Sequence, residues 1–232
     1  MTLVTDDLVA VEFASVLASS VHDMKNSIGH LLNSAEAIES LVPDNSIARD
    51  QVLALQHEAR RINFDLMHLL GLYKFERSRQ VVNPTVVDCE EFLIELTAYN
   101  ESLLTSRGLK FSAECRGAVE GFFDRDLIMG ILNSTLNNTY NFAESEVEVS
   151  CGTLEGYTVF SVRDDGPGYG PKVLKGGGEQ MGRTDYATGS TGLGLYFARR
   201  ITEMHCHRGR PGKVVLDNEG IRGGGRLQLW LP

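Results

Sequence analysis

Apolar residues near the start of the chain recur every three or four positions, the interval that gathers them on one face of a helix. Phe13, Leu17, Val21, Met24, Ile28, Leu31, Ala35 and Ile38 form one such stripe, and Ser15, Ser19, His22, Asn26, Gly29 and Asn33 lie nearly opposite, which directs His22 to solvent. The pattern predicts a helix over about 6–41, stopped where Val42-Pro43-Asp44-Asn45 brings a proline and two turn formers together. Val52, Leu55, Ala59, Ile62, Leu66, Leu69 and Tyr73 repeat the spacing and predict a second helix over about 46–77. A short loop between long helices implies an antiparallel hairpin. Two helices cannot enclose a core, so each stripe would stay partly wet. Pairing two hairpins into a dimeric four-helix bundle is the economical solution; packing on the rest of the same chain is the alternative.

From about residue 83 the pattern changes to strands alternating with helices. "NPTVVD", "LKFSAEC", "VEVSCGTLEGYTVFSVRDDG", "KVVLDN" and "GRLQLWLP" read as strands. Helical stretches over about 88–105, 124–143 and 192–205 separate them. Interleaved helices and hairpin-joined strands predict an α/β sandwich with a mixed sheet. The expected fold class is therefore α+β, with a helical hairpin over residues 1–80 and a second domain over 81–232.

Composition removes several function classes. With 42% hydrophobic and 23% charged residues among 232, the chain has an ordinary globular make-up. A net charge of -9 leaves no basic footprint for nucleic acid, whose binding rests on neutralising phosphates. No apolar run approaches the ~20 residues of a membrane span. The first basic residue is Lys25, so the N-terminus lacks the positive region of a signal peptide. A soluble, cytoplasmic protein is expected. Cys89, Cys115, Cys151 and Cys206 show no C-x-x-C pairing and read as reduced thiols. The side chains of His205-Cys206-His207 diverge on either a strand or a helix, which makes a poor metal site.

Two glycine clusters remain. The strand "TVFSV" runs into Arg163-Asp-Asp-Gly-Pro-Gly-Tyr-Gly170, and Thr188-Gly-Ser-Thr-Gly-Leu-Gly-Leu195 opens a helix. Glycines at a helix start let backbone N–H groups approach an anion, so the second cluster reads as a phosphate cradle. Neither G-x-x-x-x-G-K-[ST] nor a G-x-G-x-x-G after the first strand is present, which argues against the P-loop and Rossmann solutions.

"VRDDGPGYG" and "GSTGLGLYFARRI" resemble the two glycine boxes of the histidine kinase branch of the ATPase superfamily that also holds gyrase and Hsp90. "ILNSTLNNTYNFAES" is similar to its asparagine box and "VHDMKNSIG" to the box of the phosphorylated histidine, all in the family's order. The resemblance implies ATP and Mg²⁺ as cofactors. It matches Asp164 to the aspartate that binds the adenine amino group, with Gly166 and Gly168 letting the backbone pass the base. Gly192, Leu193 and Gly194 fall where phosphates are wrapped, and Asn138 where Mg²⁺ is held. His22 becomes the phosphoacceptor, Asp23 the acid that orients the ring and takes its proton, and Asn26 the polar residue that positions water for dephosphorylating a partner.

Two departures from the family pattern stand out. Ser134 replaces a polar Asn or an acid one turn before the Mg²⁺ ligand, and Asn141 occupies the place of a phosphate-binding Lys. Lys175 and Arg183, in the loop after the first glycine box, are candidates to contact phosphate, the alternative being a solvated charged loop. The resemblance thus implies a homodimeric histidine kinase core that passes phosphate from His22 to a response regulator receiver domain in another protein and dephosphorylates it. A separate sensor protein would supply the stimulus. The alternative is a phosphotransfer or scaffold protein of the same fold, phosphorylated by another protein and with a degenerate ATP site.

Overall fold

The computed structural model describes residues 3–43, 46–77, 82–117, 119–176 and 193–232, with the backbone alone given over 3–18, 22, 50, 64–65, 67–77 and 193. The chain divides into two compact units, Met1–Arg79 and Gln80–Pro232. The first consists of α1 (Leu3–Glu39) and α2 (Ile47–Arg77). Glu39 joins their connected ends, accepting from Arg49 at 2.9 Å and from Gln56 Nε2 at 2.9 Å. Val21 and Ala35 of α1 are buried with Leu53 and Ala59 of α2. Met24, Leu31, Ile38, Leu55 and Ile62 remain 42–52% exposed. The predicted stripes are therefore split lengthwise, one edge covered within the hairpin and the other open.

The second unit opens with β1 (Thr85–Asp88), and its other elements alternate along the chain. After β1 come α3 (Cys89–Ser106), β2 (Lys110–Cys115), β3 (Glu120–Phe123), α4 (Arg125–Phe142), β4 (Glu146–Leu154) and β5 (Tyr157–Asp164). Then follow α5 (Pro171–Gly176), α6 (Leu193–Met204), β6 (Cys206–His207), β7 (Arg210–Pro211), β8 (Lys213–Asp217) and β9 (Arg226–Leu231). The main sheet has the order β2-β4-β5-β9-β8. Only β2 and β4 run parallel in it, so the sheet is mixed. β1 pairs with β3 and β6 with β7, two short ladders that the sequence pattern does not announce.

Helix starts follow from capping carboxylates, which satisfy N–H groups that have no partner within the helix. Asp88 accepts from Glu90 N and Glu91 N at the start of α3, and Asp124 from Leu127 N at the start of α4. The sheet alternates as a half-covered sheet must. Cys115, Cys151, Phe160, Leu229 and Val214 form one row across it, directed at the helices, while Ser112, Glu148, Arg163, Arg226 and Asp217 form a polar row on the opposite face. In the core, the rings of Phe92, Phe123 and Phe160 meet with centroids 5.3–5.5 Å apart, joining α3, β3 and β5. All three are fully buried. Phe160→Ala should lower stability by about 3–5 kcal/mol through lost burial and a residual cavity; urea denaturation with the same slope and an unchanged midpoint would refute that packing.

Candidate functional site

β5 ends in two adjacent carboxylates with opposite fates. Asp164 closes the inward row Phe111–Val147–Asp164, so its side chain leaves the sheet on the helical face. Its Oδ1 accepts from Gly166 N at 2.9 Å and Gly225 N at 3.2 Å, and its own N–H donates to Gly225 O at 3.0 Å. Oδ2 has no hydrogen-bond partner among the described residues. Burial raises the carboxyl above the ordinary aspartate value, and the two N–H donors offset only part of that.

The loop after Asp164 is built by close approach. A Cβ on Gly166 would fall 2.5 Å from Phe142 O, so only glycine lets this turn meet the end of α4. A Cβ on Gly225 would crowd Asp164 Oδ2 at 2.9 Å. Gly168 has φ +72. The next residue, Tyr169, is clamped by Asn218, whose Oδ1 accepts from Tyr169 N at 2.7 Å while its Nδ2 donates to Tyr169 O at 3.1 Å. The clamp holds the loop against the end of β8.

Asp165 is buried and accepts from the N–H groups of Glu144, Ser145 and Glu146 at 3.0–3.1 Å, from Ser145 Oγ, and from Arg222 at 3.3 Å. Burial by itself would raise this carboxyl, but the converging donors hold it below the ordinary aspartate range. It ties the end of β5 to the turn between α4 and β4.

On α4, Ser134, Asn138 and Asn141 lie four and three residues apart, on one face. Ser134 is half-buried, Asn138 and Asn141 exposed. Asn141 Nδ2 donates back to Asn137 O at 3.2 Å. Asn133 and Asn137 lie on the buried side, where Asn133 Oδ1 accepts from Asn100 of α3 at 2.7 Å. Gly194 lies in the first turn of α6 and Lys175 near the end of α5, exposed. Gly192, Arg183 and the Leu193 side chain lie outside the described residues. In the hairpin, His22 belongs to α1 but its side chain lies outside the described residues; Asp23 and Asn26 are exposed. Asp23 borders an open cleft of about 500 Å³ between α1 and α2, with Met24, Ile28, Ile62 and Leu66.

Sequence reasoning missed Asp165, Asn218, Gly225 and Arg222. Gly223-Gly-Gly225 before the last strand was the available signal, since backbone that approaches a carboxylate this closely needs glycine. Among the described residues no His, Cys, Asp or Glu cluster could hold a metal by itself. His205 has both nitrogens engaged, Nδ1 with Ile201 O at 2.8 Å and Nε2 accepting from Asp124 N at 2.9 Å.

Residues 123–232 match the family model described as histidine kinase-, DNA gyrase B- and HSP90-like ATPase. The chain is 30% identical over 207 residues to the sensor histidine kinase YkoH of Bacillus subtilis, a match covering 84% of this chain and 41% of that one. It is 29% identical over 211 residues to the sensor protein kinase CarS of Pseudomonas aeruginosa, covering 89% of this chain and 45% of that one. The chain thus spans less than half the length of these relatives. In fold it is similar to full-length ShkA crystallised with AMPPNP, with a TM-score of 0.62 at 21% identity over 93% of this chain and 44% of that one. No described helix is long and apolar enough to cross a membrane.

Asp165→Ala should destabilise the chain by about 2–3 kcal/mol at neutral pH, the cost of stranding several donors to a charged group. A depressed carboxyl stabilises above its unfolded value and loses that contribution as pH falls through the folded one. The gap in urea midpoint between wild type and variant should therefore narrow on going from pH 7 to about pH 3, below the ordinary value of an aspartate. An equal gap at both pH values would show that Asp165 acts through packing alone.

Proposed function

We propose, for a chain that is homologous to sensor histidine kinases and whose residues 123–232 are a histidine kinase-, DNA gyrase B- and HSP90-like ATPase domain, that it binds Mg-ATP and phosphorylates its own His22. The observation that carries this reading is Asp164, whose Oδ1 is saturated by two backbone donors while Oδ2 has no partner among the described residues. Such an oxygen is an acceptor kept for a ligand donor, and the adenine amino group supplies one. Gly166 and Gly168 let the loop run close to the base. The exposed amide of Asn138 fits a Mg²⁺ ion held mainly by phosphate oxygens, since that ion keeps few protein ligands. When bound, Mg²⁺ neutralises phosphate charge. Leu193 and Gly194 in the first turn of α6, with Gly192 before them in sequence, would give the phosphates backbone N–H donors, and Lys175 of α5 and Arg183 would add positive charge.

In the transfer step an imidazole nitrogen of His22 forms the N–P bond, the γ-phosphorus–oxygen bond breaks, ADP leaves, and Asp23 takes the ring proton. Asn26 lies one turn on, where it would position water against a partner's phosphoaspartate. The phosphoryl group passes to an aspartate of a separate response regulator receiver domain. The open edge of the hairpin, with Met24, Leu31, Ile38, Leu55 and Ile62 exposed, supports a homodimeric four-helix bundle. A carrier that receives phosphate on His22 from another protein is the second reading. It is favoured by Asn141, which offers the α4 face an amide already bonded to its own helix where a cation would hold phosphate.

The chain incubated with Mg²⁺ and γ-labelled ATP should acquire acid-labile, alkali-stable label, and His22→Ala should remove it without changing nucleotide affinity. Equal labelling of the variant would move the acceptor to another histidine. A wild-type chain that binds nucleotide and takes no label would favour the carrier.

A further inference from the structure

Three of the four cysteines, far apart in sequence, converge at the edge of the main sheet. Cys115 and Cys151 are register partners in the parallel pair β2–β4. Facing residues in such a pair project from the same face. That face is turned toward α3, whose first residue is Cys89. The Cys151 thiol neighbours both of the others, whose own hydrogen bonds go to backbone carbonyls, Cys89 Sγ donating to Val87 O at 3.9 Å and Cys115 Sγ to Gly117 O at 3.3 Å. Cys89 and Cys151 are 0% and 1% exposed, whereas Cys115 is partly open. Cys115 lines a cleft of about 430 Å³ between α3 and β2, walled by Leu93, Ile94, Ala98 and Ala113. Solvent and small solutes therefore reach one thiol of the cluster directly. The cluster lies at the opposite end of β4 from the turn that Asp165 anchors, and the nucleotide reading makes no use of it.

The geometry points to a redox-sensitive dithiol: Cys115, entered from the α3–β2 cleft, is oxidised by a small hydroperoxide and closes a reversible disulfide onto Cys151. In the first step the Cys115 thiolate attacks the peroxide, an S–O bond forms as the O–O bond breaks, and hydroxide (or alkoxide) leaves and is protonated. In the second, the Cys151 sulfur attacks the resulting sulfenic acid, the S–S bond forms, and the S–O bond breaks; the Cys151 proton leaves with the oxygen as water. Two thiols and one hydroperoxide thus give one disulfide, one water and the alcohol, or a second water from hydrogen peroxide. Adjacent paired positions fall within the Cα separations that a disulfide spans. Burial, with the Glu90 carboxylate adding to it, raises the Cys115 thiol, and the neighbouring Cys89 sulfur followed by burial raises that of Cys151, so the thiolate fraction, and with it the rate, rises with pH.

The test uses the full chain carrying Cys206→Ser, which removes the exposed thiol and any intermolecular pairing through it. After treatment with a small excess of hydrogen peroxide, peptide mapping under denaturing, alkylating conditions should find a Cys115–Cys151 crosslink and a free Cys89. Dithiothreitol should restore all three thiols. Adding Cys115→Ser or Cys151→Ser should abolish the crosslink, and the map of the Cys206→Ser chain decides the matter if either further variant misfolds. Three alkylatable thiols after peroxide, a Cys89–Cys151 crosslink, or Cys115 carried to sulfinic acid without a crosslink would each overturn the assignment.

Discussion

The carboxylate of Asp164 is shared between the fold and the site. One oxygen closes the ends of β5 and β9 by taking the N–H groups of Gly166 and Gly225, and the other has no donor among the described residues. A buried polar atom without a partner is costly, so a fold keeps one where a ligand completes it. Everything nearby serves that division. Asp165 takes on the structural bonding that would otherwise compete for Asp164, and glycine at 166 and 225 removes the side chains that would fill the space. Asn218 fixes the following turn from β8.

The hairpin obeys a different constraint, the covering of apolar surface. Its helices bury Val21, Ala35, Leu53 and Ala59 against each other and leave a second line of apolar residues in water. A helix in a four-helix bundle touches two neighbours, so a stripe covered along only one edge is what half a bundle looks like. Asp23 borders the cleft between the two helices together with Met24, Ile28, Ile62 and Leu66.

Much of this was legible in the chain, and the failures have a physical pattern. Long helices with strong periodicity, the strands flanking Gly156 and the strand before Asp164 follow from local spacing, and the mixed sheet followed from their alternation with helices. β3, four residues long, and the two-residue β6 and β7 carry too few residues for a period to show. The apolar stripe of α1 read as one face, because sequence spacing cannot tell which edge of a stripe the adjacent helix covers. Asp164, Gly166 and Gly168 were singled out by their motif, yet what positions them left no such signal. Gly225 reaches Asp164 because β9 pairs with β5, in the register Arg163 with Arg226, a contact sixty-one residues away in sequence. Pairing at that range leaves no local trace.

The central claim is that Asp164 Oδ2 is the acceptor for the adenine amino group, and Asp164→Asn tests it at one atom. Because Oδ1 is held by two N–H donors, an asparagine must keep its oxygen there and present its NH₂ where Oδ2 was, donor against donor. Calorimetric titration with a non-hydrolysable ATP analogue and Mg²⁺, at unchanged thermal stability, should show a loss of about 1.5–3 kcal/mol, roughly tenfold or more in affinity. Equal affinity for the analogue in wild type and variant would contradict the account and place the base elsewhere.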